Sequence, residues 1–216
     1  MSNPPPTPAQ LDALKRLGTA TVHEAQGQKG AVDPRIRALD PRFRLAGRAL
    51  TVDIRPGDNL MLHYALSKAV PGDVLVVDAK GFLDAGPWGD VLTLAARQAG
   101  VAGLALDGAV RDAAAIVEMG FPVFCRGVCI KGTNKQQPGR LNVPLVFGGV
   151  GVEPGDVIVG DADGLVVVKA DEVDEAIRLS EARERKEAAM RERLMQGASM
   201  IELLELQETL DRLGLE

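Results

Sequence analysis

An arginine and an aspartate stand side by side at positions 111 and 112, at the end of the segment LDGAVRD. An apolar run precedes them, and the pattern predicts that a helix begins at Arg111. Neighbouring residues of a helix point about 100° apart, so we expect the two side chains to face other groups rather than each other. Such a pair suits a ligand that combines an anionic group with a bound metal. In the alternative interpretation, Asp112 favours the helix dipole and Arg111 forms a surface ion pair.

A glycine-rich segment, GPWGDVLTLAARQAG (86–100), adds a predicted anion-binding turn. Gly86 and Gly89 would leave backbone N–H groups free at the start of the following helix, a geometry that binds carboxylate or phosphate oxygens. The turn also contains Asp90, and 20 residues separate this carboxylate from the Arg111-Asp112 pair. The glycine turn alone is a weak signal. The combination predicts one site, built from two strand-to-helix junctions.

The order of apolar and polar segments predicts an α/β fold. A helix begins at Thr7-Pro8 and ends at Gly18. TVHE (21–24) has capping-box spacing, so Glu24 is interpreted as a helix cap rather than a catalytic acid. Further strands are predicted at 45–54, 101–106, 122–125, 145–150 and 165–169, and further helices at 60–69, 91–99 and 111–119.

An internal repeat links two distant parts of the chain. PGDVLVVDAKG (71–81) and PGDVIVGDADG (154–164) agree at eight of eleven positions. In both, a Pro-Gly turn precedes a nearly continuous aliphatic run, which is typical of strands covered on both faces. The repeat therefore predicts two similar strand entries.

The tail differs in composition from residues 1–170, which we interpret as a single domain. From Asp171 onward, about 26 residues rich in Glu and Arg predict a helix that ends at Gly197, and a second helix follows. The first helix would span about 39 Å, too long to lie wholly on so small a domain. We therefore expect residues 171–216 to pack on a neighbouring subunit of a homo-oligomer, although a solvated charged face would also explain the Glu and Arg run.

Composition excludes several classes of protein. The chain has 216 residues, 46% of them hydrophobic and 25% charged, enough to bury one substantial core. Its net charge of −5 argues against a nucleic-acid partner. No secretion signal or uncharged membrane-length stretch is visible, so a cytoplasmic location is expected. Cys125 and Cys129 match neither a redox pair nor a zinc motif, and we expect reduced thiols.

Three segments carry a resemblance to a known family: WGDVLTLAARQAGVAGLALDGAVRD, GFPVFCRG and CIKGTNK. Over nearly the whole chain the sequence resembles the class II pyruvate aldolases that cleave 4-hydroxy-4-methyl-2-oxoglutarate and 4-carboxy-4-hydroxy-2-oxoadipate. These enzymes are relatives of the RraA-type regulators of ribonuclease E. CIKGTNK points to the carboxy-hydroxy-oxoadipate branch. The acid at position 90, which the regulators lack, favours the aldolases.

The resemblance implies a fold and a set of roles. The fold would be an RraA-like αββα sandwich with a swivelling-domain-type β core and long C-terminal helices. The cofactor would be Mg²⁺ or Mn²⁺, with Asp112 as the direct ligand, while Asp90 orients or deprotonates a metal-bound water. Arg111 would hold the pyruvyl part of the 2-oxo acid substrate, whose carboxylate would bind at Gly89, Val91 and Leu92.

The resemblance also implies that a glutamate from an adjacent subunit holds metal-bound water. Glu187 is the candidate by position, and Glu184 and Glu192 lie on the same charged helix. The assembly would be a trimer or a hexamer.

The chemistry of the implied reaction matches these residue types. Cleavage of the bond between the carbons α and β to a ketone leaves an enolate, whose charge a divalent cation and Arg111 would stabilise. Pyruvate and oxaloacetate would be the products, and because oxaloacetate decarboxylation passes through the same enolate, we expect it as a side activity.

Several other polar residues receive a structural interpretation. His23 and His63 lack the third ligand that a zinc site needs. Nothing near Lys80 predicts a depressed pKa, which argues against a Schiff-base lysine. By resemblance, Lys131 and Lys135 are placed to meet a distal substrate carboxylate. Trp88 is interpreted equally well as loop packing or as a substrate contact.

Two competing functions remain open. The first is a non-enzymatic regulator that binds ribonuclease E, against which Asp90 and the intact Arg111-Asp112 pair speak. The second is a swivelling phosphohistidine domain, which would need a glycine-flanked Ser-His acceptor. Neither TVHE nor MLHY supplies that acceptor.

Overall fold

The computed structural model describes residues 4–215 and shows a mixed α/β architecture, as the sequence predicts. The helices are α1 (Pro8–Leu17), α2 (Thr19–Ala25), α3 (Leu60–Leu66), α4 (Asp90–Gln98), α5 (Ala113–Glu118), α6 (Val173–Met195), α7 (Met200–Leu203) and α8 (Gln207–Leu213). The strands are β1 (Arg37–Ala38), β2 (Leu45–Asp53), β3 (Asp73–Phe82), β4 (Gly103–Val110), β5 (Val123–Val128), β6 (Arg140–Leu141), β7 (Leu145–Phe147), β8 (Val150–Val152), β9 (Val157–Asp161) and β10 (Gly164–Val168).

Within residues 4–215, one eight-stranded sheet has the order β1-β5-β4-β3-β2-β9-β10, with β6 also pairing with β2. The neighbours β2, β3, β4 and β5 run parallel, and the other pairs are antiparallel. The sheet curves into a nearly closed barrel around an inner core that β7 and β8 also line. The two β layers of the expected sandwich are thus parts of one curved sheet.

Apolar clusters cover the sheet on both sides. The inner cluster includes Phe124, Phe147, Ile158 and Leu165. The outer cluster, between the sheet and α3, α4 and α5, includes Leu62, Trp88, Leu92 and Ile116. A third cluster lies beneath α1, α2 and α6 and includes Leu14, Val22 and Val173. Because β4 and residues 73–79 of β3 are buried, these strands contain the aliphatic runs 74–77 and 104–106 instead of an alternating pattern.

The internal repeat forms two equivalent strand entries, as predicted. The carboxylate of Asp73 accepts a hydrogen bond from the amide of Val70 at 2.9 Å, and that of Asp156 accepts one from Glu153 at 2.8 Å. The glycine of each Pro-Gly pair has a positive φ, 88° and 94°. Strands β3 and β9 therefore both begin after a Pro-Gly turn in which the aspartate side chain accepts a hydrogen bond from a backbone N–H.

The capping-box interpretation of TVHE is wrong. Helix α2 begins at Thr19, two residues earlier, because the backbone N–H and hydroxyl of Thr19 both donate to Asp161, at 2.8 and 2.6 Å. Thr21 therefore lies inside the helix. Glu24 forms an ion pair with Arg183 of α6 at 2.6 Å.

Two other segments depart from the predicted elements. The strand predicted at 145–150 is a hairpin of β7 and β8, because Gly148 and Gly149 both adopt positive φ and turn the chain. The second tail helix is split into α7 and α8, with Glu205 at φ 54° in the break.

The first half of α6 packs on α1 and α2 of its own chain. Val173, Ala176 and Ser180 are buried there, and Arg16 pairs with Glu184 at 3.0 Å. Beyond that half, Met195 and Leu213 are 81% and 63% exposed. Packing of the extension on a neighbouring subunit stays a prediction. Among the residues that the structure describes, no helix has the length and apolar character needed to cross a bilayer.

Candidate functional site

The candidate site lies at the carboxyl end of β4, where two loops meet. The N–H of Arg111 donates to the carbonyl of Trp88 at 2.8 Å, and Trp88 also forms a parallel β-bridge with Val110. This pairing brings the end of β4 against the loop that leads into α4. The amide of Asp90 lies 3.3 Å from the carboxylate of Asp112, so the two motifs that the sequence singles out share one site.

Asp112 has a left-handed backbone, with φ 56° and ψ 37°, and it precedes α5 rather than lying in it. The expectation that Arg111 and Asp112 would not pair is therefore wrong, because it assumed helical geometry at both residues. Arg111 Nε lies 3.4 Å from Asp112 Oδ2, and both side chains remain about two-fifths exposed, at 43% and 40%. Both charges thus stay accessible to a ligand from solvent.

Glycines make room for this charged pair. An ideal Cβ at Gly89 would lie 2.4 Å from Asp112 Oδ2 and 3.0 Å from Arg111 Nε. A Cβ at Gly86 would lie 2.5 Å from the carbonyl oxygen of Cys129. The expectation that the N–H of Gly86 stays free is wrong, because it donates to the carbonyl of Lys131 at 2.9 Å. The requirement for glycine is instead steric, since a side chain at either position would collide with Asp112 and Arg111 or with the carbonyl of Cys129.

The carboxylate of Asp90 turns back onto the start of α4. Its Oδ1 accepts a hydrogen bond from the amide of Val91 at 2.7 Å. The Val91 amide, predicted to bind a substrate carboxylate, therefore already holds a carboxylate. The Leu92 amide lies in the same first turn, where N–H groups have no acceptor within the helix. This end of α4 is thus suited to carboxylate oxygens.

Trp88 is a packing residue, which decides between the two interpretations of the sequence. It is fully buried, its ring stacks on Phe121 with centroids 6.1 Å apart, and its indole N–H donates to the hydroxyl of Thr93 at 2.8 Å. That hydroxyl donates in turn to the carbonyl of Gly89 at 2.9 Å. Trp88 therefore fixes the loop on which Gly89 and Asp90 lie.

The segment 129–135 forms a second wall of the site. The amide of Cys129 donates to the carbonyl of Val110 at 2.8 Å, and the amide of Gly86 donates to the carbonyl of Lys131 at 2.9 Å. A Cβ at Gly132 would lie 3.9 Å from a terminal nitrogen of Arg111. The segment 129–135 therefore lies beside the Arg111 guanidinium.

The two lysines of this wall differ in their partners. Lys131 pairs with Asp84 at 2.5 Å, a contact that raises the pKa of Lys131. Lys135 is exposed, and its positive charge contributes to lowering the pKa of both Asp58 and His63. Lys135 thus lies at the corner where α3 begins.

Lys80 is not placed for Schiff-base chemistry. Burial alone would lower the pKa of Lys80, but the carboxylates of Asp53 and Asp78 outweigh it and raise that pKa. A raised pKa keeps the amine protonated and unable to attack a carbonyl.

The histidines and cysteines have structural surroundings. His23 Nδ1 lies 2.8 Å from the carbonyl oxygen of Lys29, and burial lowers the pKa of His63. Cys125 and Cys129 are free thiols, and burial raises the pKa of Cys125 to about 11. Within residues 4–215, no three His, Cys, Asp or Glu side chains converge into a preformed metal site.

Glu187 lies in the second half of α6, with 34% of its side chain exposed. It pairs with Arg183 at 2.9 Å and with Arg191 at 3.6 Å. The role of Glu187 in the site of an adjacent subunit stays a prediction.

The donor set at the site fits a hard divalent cation. Asp112 offers an accessible carboxylate, and Asp90, whose amide lies 3.3 Å from that carboxylate, offers a second. Mg²⁺ commonly binds to one or two carboxylates and keeps several waters, so this sparse set suits Mg²⁺ or Mn²⁺ better than zinc.

Asp58 contributes to the wall, and the sequence reasoning missed it. Its carboxylate accepts hydrogen bonds from the amides of Gln136 and Gln137, far away in the sequence. The Asp-x-Leu pattern at the start of α3 was a visible signal of a cap, but the bonds to the loop have no local signature.

The family described as Aldolase/RraA, RraA-like, matches residues 16–167. A protein of Halalkalibacterium halodurans named "Putative 4-hydroxy-4-methyl-2-oxoglutarate aldolase" is 40% identical over 163 residues, which cover 74% of this chain and 78% of that protein.

Two solved structures share the fold over most of their length. An uncharacterized protein of Pseudomonas syringae has a TM-score of 0.84 and 29% identity, covering 97% of both chains. Streptomyces coelicolor RraAS2, described as an unusual member of the RNase ES inhibitor RraA protein family, has a TM-score of 0.77 and 32% identity, covering 87% of this chain and 99% of that one. This chain is thus similar in sequence to an aldolase-named protein and in structure to a regulator-named one.

Proposed function

Because the chain belongs to the Aldolase/RraA family, we propose that it is a divalent-metal-dependent class II aldolase. Its substrates would be 4-carboxy-4-hydroxy-2-oxoadipate, cleaved to pyruvate and oxaloacetate, and 4-hydroxy-4-methyl-2-oxoglutarate, cleaved to two pyruvates. The observation that carries the proposal is the meeting of Asp90, Arg111 and Asp112 around the glycine turn. The name of the Halalkalibacterium halodurans relative supports the same activity.

Arg111 binds the pyruvyl half of the substrate. Its guanidinium is two-fifths exposed and lies beside the first turn of α4. A guanidinium stays charged at any physiological pH and can donate to both the 2-oxo oxygen and a carboxylate. The amides at the start of α4 receive the substrate carboxylate, and the Asp90 carboxylate leaves the Val91 amide to make way for it.

Asp112 and Asp90 would hold the divalent cation, Asp112 directly and Asp90 through water. When bound, the cation supplies Lewis-acid stabilisation of the negative charge that develops on the 2-oxo oxygen. Glu187 of an adjacent subunit is proposed as a further water-mediated contact.

Asp90 acts in the proton transfer. Once displaced from Val91, its carboxylate is free to draw the proton from the C4 hydroxyl, directly or through one water. The C3–C4 bond then breaks, C4 becomes the ketone of the departing product, and the electron pair forms the enolate of pyruvate. Protonation of that enolate at C3 completes the reaction. Loss of CO₂ from oxaloacetate would leave the same enolate, so decarboxylation is the expected side activity.

The assembly is proposed to be a homo-oligomer, either a trimer or a hexamer. Exposed apolar side chains near the C-terminus support this, among them Met195 and Leu213. Apolar patches of this kind commonly mark protein interfaces.

The test is metal-dependent release of pyruvate, coupled to NADH oxidation by lactate dehydrogenase. Arg111→Ala and Asp112→Asn should each lower kcat/KM at least a hundredfold, which corresponds to about 3 kcal/mol of transition-state stabilisation. Asp90→Asn should lower kcat more than it raises KM. EDTA should abolish activity, and Mg²⁺ or Mn²⁺ should restore it.

Arg42→Ala is the matched control, because it removes an arginine whose side chain is 80% exposed and whose ion-pair partner among the described residues is Asp40, outside the C-terminal extension. Activity that survives in Arg111→Ala or Asp112→Asn would contradict the mechanism. A folded wild type that releases no pyruvate with any metal would instead favour the regulator function.

A further inference from the structure

We propose that Asp58 is a positioning residue that fixes the loop carrying Lys135 and so sets the preference for substrates with a distal carboxylate. The proposal rests on the aldolase function proposed above. It assigns a role to a residue outside the Asp90, Arg111 and Asp112 motif.

The Asp58 side chain ties the loop to the start of α3. One oxygen accepts from the amide of Leu60 at 2.9 Å, in the manner of a helix cap. The other accepts from the amides of Gln136 and Gln137, at 2.7 and 3.0 Å. Lys135 is the residue immediately before this double hydrogen bond.

Backbone contacts reinforce the same attachment. The amide of Asn59 donates to the carbonyl of Asn134 at 3.0 Å, and the amide of Asn134 donates to the carbonyl of Gly57 at 2.9 Å. Lys135 therefore lies between two anchored residues, Asn134 and Gln136. Its backbone is held in place while its side chain stays exposed.

The same corner is joined to the glycine turn of the site. The side-chain amide of Asn59 donates to the carbonyl of Pro87 at 3.0 Å, and Asn59 is 7% exposed. One corner, residues 58–59, thus holds both the turn that would bind the proximal carboxylate and the loop that would bind the distal one. Its rigidity sets the separation between the two anion-binding positions.

Asp58 is suited to this task because it is buried and ionised. The residue is 2% exposed. Burial alone would raise the pKa of Asp58, but three backbone N–H groups and the charge of Lys135 outweigh it and lower that pKa. A carboxylate that accepts several N–H bonds holds them more firmly than a neutral side chain could.

A merely structural role would affect all substrates alike. A positioning role would affect only substrates that reach Lys135. The two can be separated by comparing 4-carboxy-4-hydroxy-2-oxoadipate with 4-hydroxy-4-methyl-2-oxoglutarate, the second proposed substrate, in which a methyl group replaces the carboxymethyl group at C4 and the distal carboxylate is therefore missing.

The decisive variant is Asp58→Asn, which keeps the shape but removes the charge and one acceptor. For the tricarboxylate we expect KM to rise about tenfold, the factor that corresponds to one contact of about 1.4 kcal/mol, with kcat within about twofold. For 4-hydroxy-4-methyl-2-oxoglutarate, kcat/KM should stay within about twofold. Lys135→Ala should show the same pattern, and the double variant should be no worse than Lys135→Ala alone, because the two residues would act as one unit.

Asp58→Ser serves as a second variant in case the first folds poorly. Serine keeps a cap acceptor for Leu60, but it is too short to hold the loop. Arg140→Gln is the control, since Arg140 is an exposed residue of β6 that pairs with Asp53 and lies just beyond the loop bound by Asp58. This control should change neither substrate's KM.

Hydrogen exchange gives a readout that does not depend on activity. The amides of Gln136 and Gln137 should lose protection in Asp58→Asn and Asp58→Ser. Equal KM effects on both substrates, or none, would overturn the positioning role while leaving the aldolase function intact. Absence of pyruvate from every substrate with wild-type protein would overturn the aldolase function, and the positioning role with it.

Discussion

Gly89→Ala should abolish the proposed aldolase activity while leaving the fold intact. Gly89 has φ −149° and ψ −165°, an extended conformation that alanine adopts without strain. The added Cβ would lie 2.4 Å from Asp112 Oδ2 and 3.0 Å from Arg111 Nε. Ordinary contacts begin at about 3.4 Å, so the Asp112 carboxylate must move by about 1 Å.

A displacement of this size is sufficient to stop the reaction. Misplacing a reacting group by about 1 Å can lower a rate about a hundredfold. Because the Asp112 and Arg111 side chains are 40% and 43% exposed, they can rotate away from the new methyl group. The expected result is a loss of at least a hundredfold in kcat/KM with a Tm within about 2 °C of the wild type.

The measurement combines coupled pyruvate release with thermal unfolding. Gly151→Ala is the matched control, because a Cβ at Gly151 meets nothing within 4 Å and its φ is not positive. It should leave both activity and Tm unchanged. If Gly89→Ala retained activity within a few fold of the wild type, the steric argument and the placement of the site would both be refuted.

Three further predictions concern stability and reactivity. Gly86→Ala should lower stability by about 1–3 kcal/mol, visible as a lower Tm than that of Gly89→Ala, because its Cβ would lie 2.5 Å from the backbone oxygen of Cys129. In the folded protein at pH 8, Ellman's reagent should modify no more than one thiol, and Cys129→Ser should remove that reaction, since burial raises the pKa of Cys125 to about 11. Lys80→Met should lower Tm at pH 7, and the difference should shrink below about pH 4. Burial opposes ionisation of Asp53, but its cationic partners hold its pKa below 3.8, so their stabilisation is full above that pH and is lost as the pH falls through the folded pKa.

The sequence predicted best the elements that are buried on all sides. The strand predicted at 45–54 is β2, Leu45–Asp53, and that predicted at 165–169 is β10, Gly164–Val168. Most residues of these two strands are apolar because apolar clusters cover the sheet on both faces, although β2 also contains Gly47, Arg48 and Thr51. The helix from Thr7-Pro8 to Gly18 was also readable, because its caps are local.

Features that depend on contacts between residues far apart in the chain could not be predicted from the sequence. The start of α2 depends on Asp161, 142 residues from Thr19. The Asp58 contacts to the loop span 78 and 79 residues. At the site itself, residue types and spacing brought Asp90, Arg111 and Asp112 together correctly. The pairing of Arg111 with Asp112 was missed because it depends on the backbone conformation of one residue.

That conformation restricts which residues position 112 can accept. Left-handed backbone is readily adopted by glycine, asparagine and aspartate, whereas most other side chains are strained in it. Of these three, only aspartate carries a charge. A related chain with asparagine or glycine in place of Asp112 could therefore fold in the same way, but it would lack the carboxylate that the proposed reaction requires.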